Sequence, residues 1–219
     1  HIYNKIKDTA LTAKTGLLEA FNHAVNDRML EAKDLLLMFN LPEKPIPNDP
    51  TLAFYFNRAL AAVGLCAFRK GNPEACQELL EEMCCSGKLR DLLNQTSVKG
   101  YTEMTERRNL IPYHMSLSLE AIESVYFISV MLNEAPSLIA QLNGDDRKPS
   151  SKLFQKLWQF YEKNPLSGPP ENHRDTIYCA VKELLKGEWK KCFSYVCQLK
   201  LWNRMFQVDQ VKQIGRAHV

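Results

Sequence analysis

Glycine is scarce here: nine residues in 219, none of them clustered, so no loop is built to wrap a phosphate. There is no Gly-x-Ser-x-Gly elbow and no His-Glu-x-x-His helix. None of the seven cysteines sits in a Cys-x-x-Cys pair, and Cys84 and Cys85 are adjacent, a poor start for a two-site zinc clamp. No apolar run approaches the ~20 residues of a membrane span, and no signal peptide is visible. Paired carboxylates occur only as neighbours, Glu81-Glu82 and Asp145-Asp146, and neighbours on a helix point in different directions. The five histidines are scattered: His1 and His218 are terminal, His23 suits a helix end, and His114 follows Pro112-Tyr113 at a helix start. No catalytic residue, cofactor, metal or membrane partner is therefore expected.

What the chain does have is helix punctuation. The run Phe68-Arg-Lys-Gly-Asn-Pro-Glu-Ala75 stops one helix and starts another almost without a loop. Gly71 can take the left-handed conformation of a helix end, Asn72 can accept hydrogen bonds from the next helix's first N–H groups, and Pro73 suits the first helical position. Similar turns are predicted near Asn26 and Gly187. Their spacing is uneven, which describes a degenerate helical repeat and not a regular tetratricopeptide array.

Apolar periodicity fills in the helices between these turns. Leu11, Leu18, Phe21 and Val25 share a face, widened by Leu17 and Ala24, and Met29 to about Asn40 forms the partner. Four prolines between Pro42 and Pro50 stiffen the next connector. A helix from about Thr51 to Lys70 buries Leu52, Tyr55, Phe56, Ala59, Leu60, Val63 and Ala67. Another runs from Asn72 to Ser86-Gly87, and a short one carries Leu89, Leu92 and Leu93. Residues 95–108 read as a loop. Pro112 opens a long helix, apolar over most of its circumference from Met115 to Glu134, which should be central and buried. Ala135-Pro136 is expected to end or kink it, with 137–142 a further short helix. Helices around Leu153–Tyr161, Ile177–Leu184 and Trp189–Val196 follow, with Trp158 and Trp189 in the core. No alternating strand pattern is convincing; residues 207–213 are the only short candidate.

Hydrophobic content of 45% and charged content of 24% suit a globular chain. Cys66, Cys76, Cys179, Cys192 and Cys197 read as buried thiols of a reducing compartment. The net charge of +3 hides an asymmetry. Residues 1–146 hold 14 Lys+Arg against 19 Asp+Glu, or −5; residues 147–219 hold 14 against 6, or +8. A basic last third can attract RNA or an acidic protein. It can equally be a solvated surface, since no Lys/Arg run exceeds two residues. The residues singled out for an interface or RNA-facing role are Arg107, Arg108, Lys182, Lys186, Lys190, Lys191, Trp202 and Arg204. Arg107 and Arg108 can instead satisfy carboxylates of their own fold, and Trp202 can pack on a following domain.

Four segments resemble the c subunit of eukaryotic translation initiation factor 3. They are Phe21–Met38; Tyr55–Gly71, with Asn57-Arg58 and Cys66-Ala-Phe-Arg69; Glu106-Arg-Arg-Asn-Leu-Ile-Pro-Tyr-His-Met115; and Leu166-Ser-Gly-Pro-Pro-Glu171 with Lys186-Gly-Glu-Trp189. The resemblance implies a helical-repeat region leading into a PCI module, a scaffold without catalytic machinery, partnered by other subunits of the factor and by the small ribosomal subunit in the cytoplasm. The expected fold is all-α, a right-handed superhelix of antiparallel helix pairs of the TPR/HEAT-like, PCI type. It would form one domain over 1–213, divisible into lobes 1–108 and 109–213. Residues 214–219 read as a disordered or vector-derived tail, and the start at His1 reads as part of a longer protein. Two other readings stand beside this one: a PCI scaffold of the proteasome lid or the COP9 signalosome, and an enzyme using Cys84 or Cys85 as nucleophile.

Overall fold

The computed structural model describes residues 9–39, 50–87, 89–93, 117–142 and 151–204, and all of their regular structure is helical. In chain order these are α1 (Thr9–Val25), α2 (Met29–Met38), α3 (Pro50–Arg69), α4 (Pro73–Cys85), α5 (Leu89–Leu92), α6 (Leu119–Leu142), α7 (Lys152–Lys163), α8 (His173–Leu185), α9 (Trp189–Cys197) and a 3-10 turn, Lys200–Arg204. Arg107, Arg108, His114, the loop at 95–108, the 108/109 lobe division and the tail lie outside the described residues.

The three expected hairpin turns are present. Gly71 and Gly187 adopt φ of 75° and 80°, the left-handed region that a side chain resists. At the first turn Asp27 takes φ of 59° without being glycine. Asn72 caps α4, its Oδ1 accepting from the Ala75 N–H at 3.0 Å.

Packing follows from these turns. α1 pairs with α2 and lies along α3, α3 pairs with α4, α4 rests on α6, α6 on α8, and α8 pairs with α9. The buried stripe of α1 is Leu17, Ala20, Phe21 and Ala24, while Leu11 and Val25 are exposed. The expected face was thus turned toward the residues that α3 covers. Two apolar clusters share α3: one joins it to α1 and α2, the other to α4–α9. α6 contributes Ile122, Val125, Tyr126, Phe127, Ile128, Val130 and Met131 to the second cluster and is its centre.

Several expectations need correction. α6 starts at Leu119, where the Ser118 hydroxyl accepts from the Ala121 N–H, so Leu117 precedes it. It runs without interruption through Pro136 to Leu142. A proline inside a helix costs about 3 kcal/mol. Leu138, two residues beyond, is buried in the same cluster as Met131, and that burial offsets the cost. Phe160 is exposed, the core side of α7 being Phe154, Leu157 and Tyr161. Trp189 is 43% exposed, because it sits at the first residue of α9 on the hairpin tip and not over a facing helix. Cys179 and Cys197 are only half-buried.

α3 and α4 touch closely at Gly64, where an added Cβ would lie 2.6 Å from a methyl of fully buried Leu80. Gly64→Ala should therefore lower stability by about 1–3 kcal/mol, read as a lower urea midpoint. Gly168→Ala, which meets open space, should stay within about 0.5 kcal/mol of the parent. At the start of α8, Asn172 and Asp175 form a reciprocal cap, and the Asp175 carboxylate also accepts from the Glu171 N–H and the Tyr161 hydroxyl. Burial alone would raise the Asp175 carboxyl; these hydrogen bonds outweigh it and hold it below its ordinary range. Since the folded value lies below the unfolded one, the contribution is full above about pH 4 and is lost as pH falls through the folded value. Asp175→Asn should lose about 2 kcal/mol at pH 7 and show a flatter acid limb in urea titrations run at descending pH. An unchanged acid limb would contradict this.

Candidate interaction surface

Two arginines from the Asn57-Arg58 and Cys66–Arg69 motifs hold helix ends in place. Arg58 is buried, and its Nε and a terminal nitrogen donate to the Leu93 carbonyl at 2.9 and 2.7 Å. Asn57 donates to the Leu92 carbonyl at 3.0 Å, so α3 grips the C-terminal end of α5 with two adjacent side chains. Desolvation lowers the Arg58 pKa, yet an arginine remains protonated. Arg69 donates to Asp27 Oδ1 and to the Ala24 carbonyl, each at 2.7 Å, tying the end of α3 to the α1–α2 turn.

A second set of clasps surrounds α6. The Tyr126 hydroxyl donates to Glu81 Oε2 at 2.6 Å and meets Ser151 Oγ at 2.7 Å, while Ser151 caps α7 by accepting from the Phe154 N–H. Burial and the Glu81 carboxylate push the Tyr126 pKa up. Glu123 meets His173 Nε2 at 2.9 Å and also binds Arg174, joining α6 to the start of α8. Burial raises the Glu123 carboxyl, but these two partners bring it below its usual range. The contacts between helices had no local signal, because their partners lie 45, 25 and about 50 residues apart.

The surroundings of Cys84 and Cys85, the two thiols of the enzyme reading, work against a thiolate. Burial pushes the Cys84 thiol up, and the nearby Glu123 carboxylate adds to the effect. Cys85 is exposed, but desolvation and its hydrogen bond to Glu81 raise it as well. Cys76 and Cys192 are pushed up to about 12 and about 11 by burial. A nucleophilic cysteine needs the opposite shift. Among the described residues no group of His, Cys, Asp or Glu is arranged to hold a metal, and no helix is long and apolar enough to cross a membrane.

Two surface features remain. One is the α8–α9 hairpin, where Lys182, Lys186, Lys190, Lys191 and Trp189 are all exposed. Lys186 pairs with Glu183 at 2.6 Å and holds its carboxyl below the usual range. Lys191 lies 3.9 Å from Glu183 and 3.8 Å from Glu188, and the Lys190 ammonium sits 5.7 Å from the centre of the Trp189 ring. The structure thus gathers four of the eight singled-out residues and adds the exposed tryptophan that sequence placed in the core. Trp202 does not join them. It is buried against Phe68, with rings 6.4 Å apart, and its Nε1 donates to the Val196 carbonyl at 2.7 Å. Trp202 is therefore core and not a surface anchor, because the 3-10 turn ending at Arg204 folds back onto the α3–α6 region. The other feature is a cleft of about 560 Å³ above α3, between α2 and α4, with α5 at one end.

Residues 1–144 match the family described as the N-terminus of eukaryotic translation initiation factor 3 subunit 8. Over 211 residues the chain is 34% identical to the C subunit of eukaryotic translation initiation factor 3 from Yarrowia lipolytica, covering 95% of this chain and 26% of that protein. The corresponding protein of Coccidioides immitis is 35% identical over 94% of this chain and 25% of its own length. That of Culex quinquefasciatus is 32% identical over 97% and 25%. The chain spans about a quarter of the length of these relatives. The fold supplies helices clasped by long-range arginine and tyrosine contacts, and the chain belongs to the family of the C subunit of eukaryotic translation initiation factor 3.

Proposed function

We propose that this chain is a scaffold segment of translation initiation factor 3 in the cytoplasm, assembling with the factor's other subunits and docking on the small ribosomal subunit. Its helix pairs continue as a right-handed superhelix of the PCI type, and docking is multivalent, with no bond made or broken. Family membership and the clasped helical frame support this reading. The observation that carries the ribosome-facing part is the hairpin tip: four exposed lysines and one exposed tryptophan within ten residues, against two glutamates. Lysine ammonium groups bind phosphates as point charges, and an exposed indole offers a stacking face to a base. An acidic sister subunit is the other candidate occupant of the tip, and Arg107, Arg108 and Arg204 stay candidates from their sequence alone.

The test is charge reversal at Lys182, Lys186, Lys190 and Lys191 within the assembled factor, with binding to purified small ribosomal subunits measured at several salt concentrations. Weaker binding is expected, with the slope of log K against log salt shallower by roughly 0.7–0.9 for each phosphate that is no longer neutralised. Unchanged affinity and slope would remove the tip from the interface.

A further inference from the structure

We propose that the cleft between α2 and α4 seats a partner helix that is apolar on one face and basic along one flank. The cleft is walled by α2 and α4, which both pack on α3. Its floor is apolar: Leu36, Phe56, Leu60, Leu79 and Met83, with Leu37 on the α2 wall. Leu37 is 59% exposed, and Leu30, two turns earlier on the same face of α2, is 74% exposed. Lys33 and Asp34 stand between these two leucines, so a helix of two to three turns would cover the cleft floor with Leu37 at its rim, since α2 is only about 15 Å long.

Charge selects the occupant. Glu74, Glu78 and Glu82 recur at every fourth residue of α4, so they stand on one ridge, and all three are exposed. Glu78 and Glu82 line the cleft, and neither has an ion-pair partner among the described residues. Like charges at this spacing repel each other, and a cation on each would relieve that. On the opposite wall stands Lys33 alone. The complementary partner is thus an amphipathic helix with apolar residues at i, i+3 or i+4 and i+7 in the floor, Lys or Arg at i and i+4 toward α4, and a neutral or acidic residue toward Lys33. An RNA strand or an anionic lipid surface would bring negative charge onto the glutamate ridge. The end wall is firm, because Asn57 and Arg58 hold the carbonyls of Leu92 and Leu93. This site is separate from the lysine tip, and neither depends on the other.

The full chain would be titrated into a fluorescent helical peptide with leucines on one face and lysines along one flank, and into a twin whose lysines are glutamates, with anisotropy as readout. The lysine peptide should bind about tenfold more tightly than its twin, and Glu78→Lys with Glu82→Lys should reverse that preference. Leu37→Asp should abolish binding of both, with Leu37→Ala weakening it while circular dichroism confirms an unchanged fold. Equal binding of the two peptides, no binding of either, or an unaltered preference after charge reversal would overturn the proposal.

Discussion

The contact on which the rest of the molecule depends is the reach of Arg69 from the end of α3 to the α1–α2 turn. Helix carbonyls at a turn need partners once the turn is packed against another helix. Arg69 meets the Ala24 carbonyl and the Asp27 carboxylate together, and Asp27 is the residue held at positive φ. A guanidinium suits this because its fork spans two acceptors at fixed geometry, which a lysine cannot reproduce. Arg58 instead places two of its nitrogens on one acceptor, the Leu93 carbonyl just past α5. With these ends fixed, the α1–α2 turn and α5 are both tied to α3, and α2, α3, α4 and α5 together line the cleft. Two of the motifs that carry the family resemblance, Asn57-Arg58 and Cys66–Arg69, are thus joints between helices.

α6 plays the corresponding part in the second half. Its apolar circumference lets α3, α4, α8 and the 3-10 turn pack around it at once. Its polar groups are used to tie neighbours down: Tyr126 to Glu81 and Ser151, Glu123 to His173 and Arg174. Tyr126 and Glu123, whose pKa values are shifted, sit at helix joints, where they fix angles and distances. That is the chemistry of a frame. Its outer surface carries a basic tip and an acidic-edged apolar cleft, two surfaces of opposite charge.

Much of the fold was legible in the sequence, for physical reasons that are local. Gly71-Asn72-Pro73 determines a turn by backbone freedom, capping and a missing N–H, all within three residues. The all-round apolar character of residues 119–131 likewise marks a central helix. What failed was anything requiring knowledge of where a neighbour ends. Leu11, Val25, Phe160 and Trp189 obey helical periodicity, yet each lies beyond the facing helix or on its open side. At Pro136 the local stop signal was overridden by burial further along the same helix. Trp202 had no local signal for the chain's return onto Phe68. The lysine tip was visible as a charge bias, whereas the cleft was not, since its walls come from three helices. The spacing of Glu74, Glu78 and Glu82 was its one readable trace.

The most direct test of the scaffold assignment is the company the endogenous protein keeps. The protein that contains this sequence would be tagged in its native cells, purified gently, and its co-purifying proteins identified by mass spectrometry. The assignment predicts other subunits of initiation factor 3 together with small-subunit ribosomal proteins. Recovery of proteasome-lid or signalosome subunits in their place would contradict it.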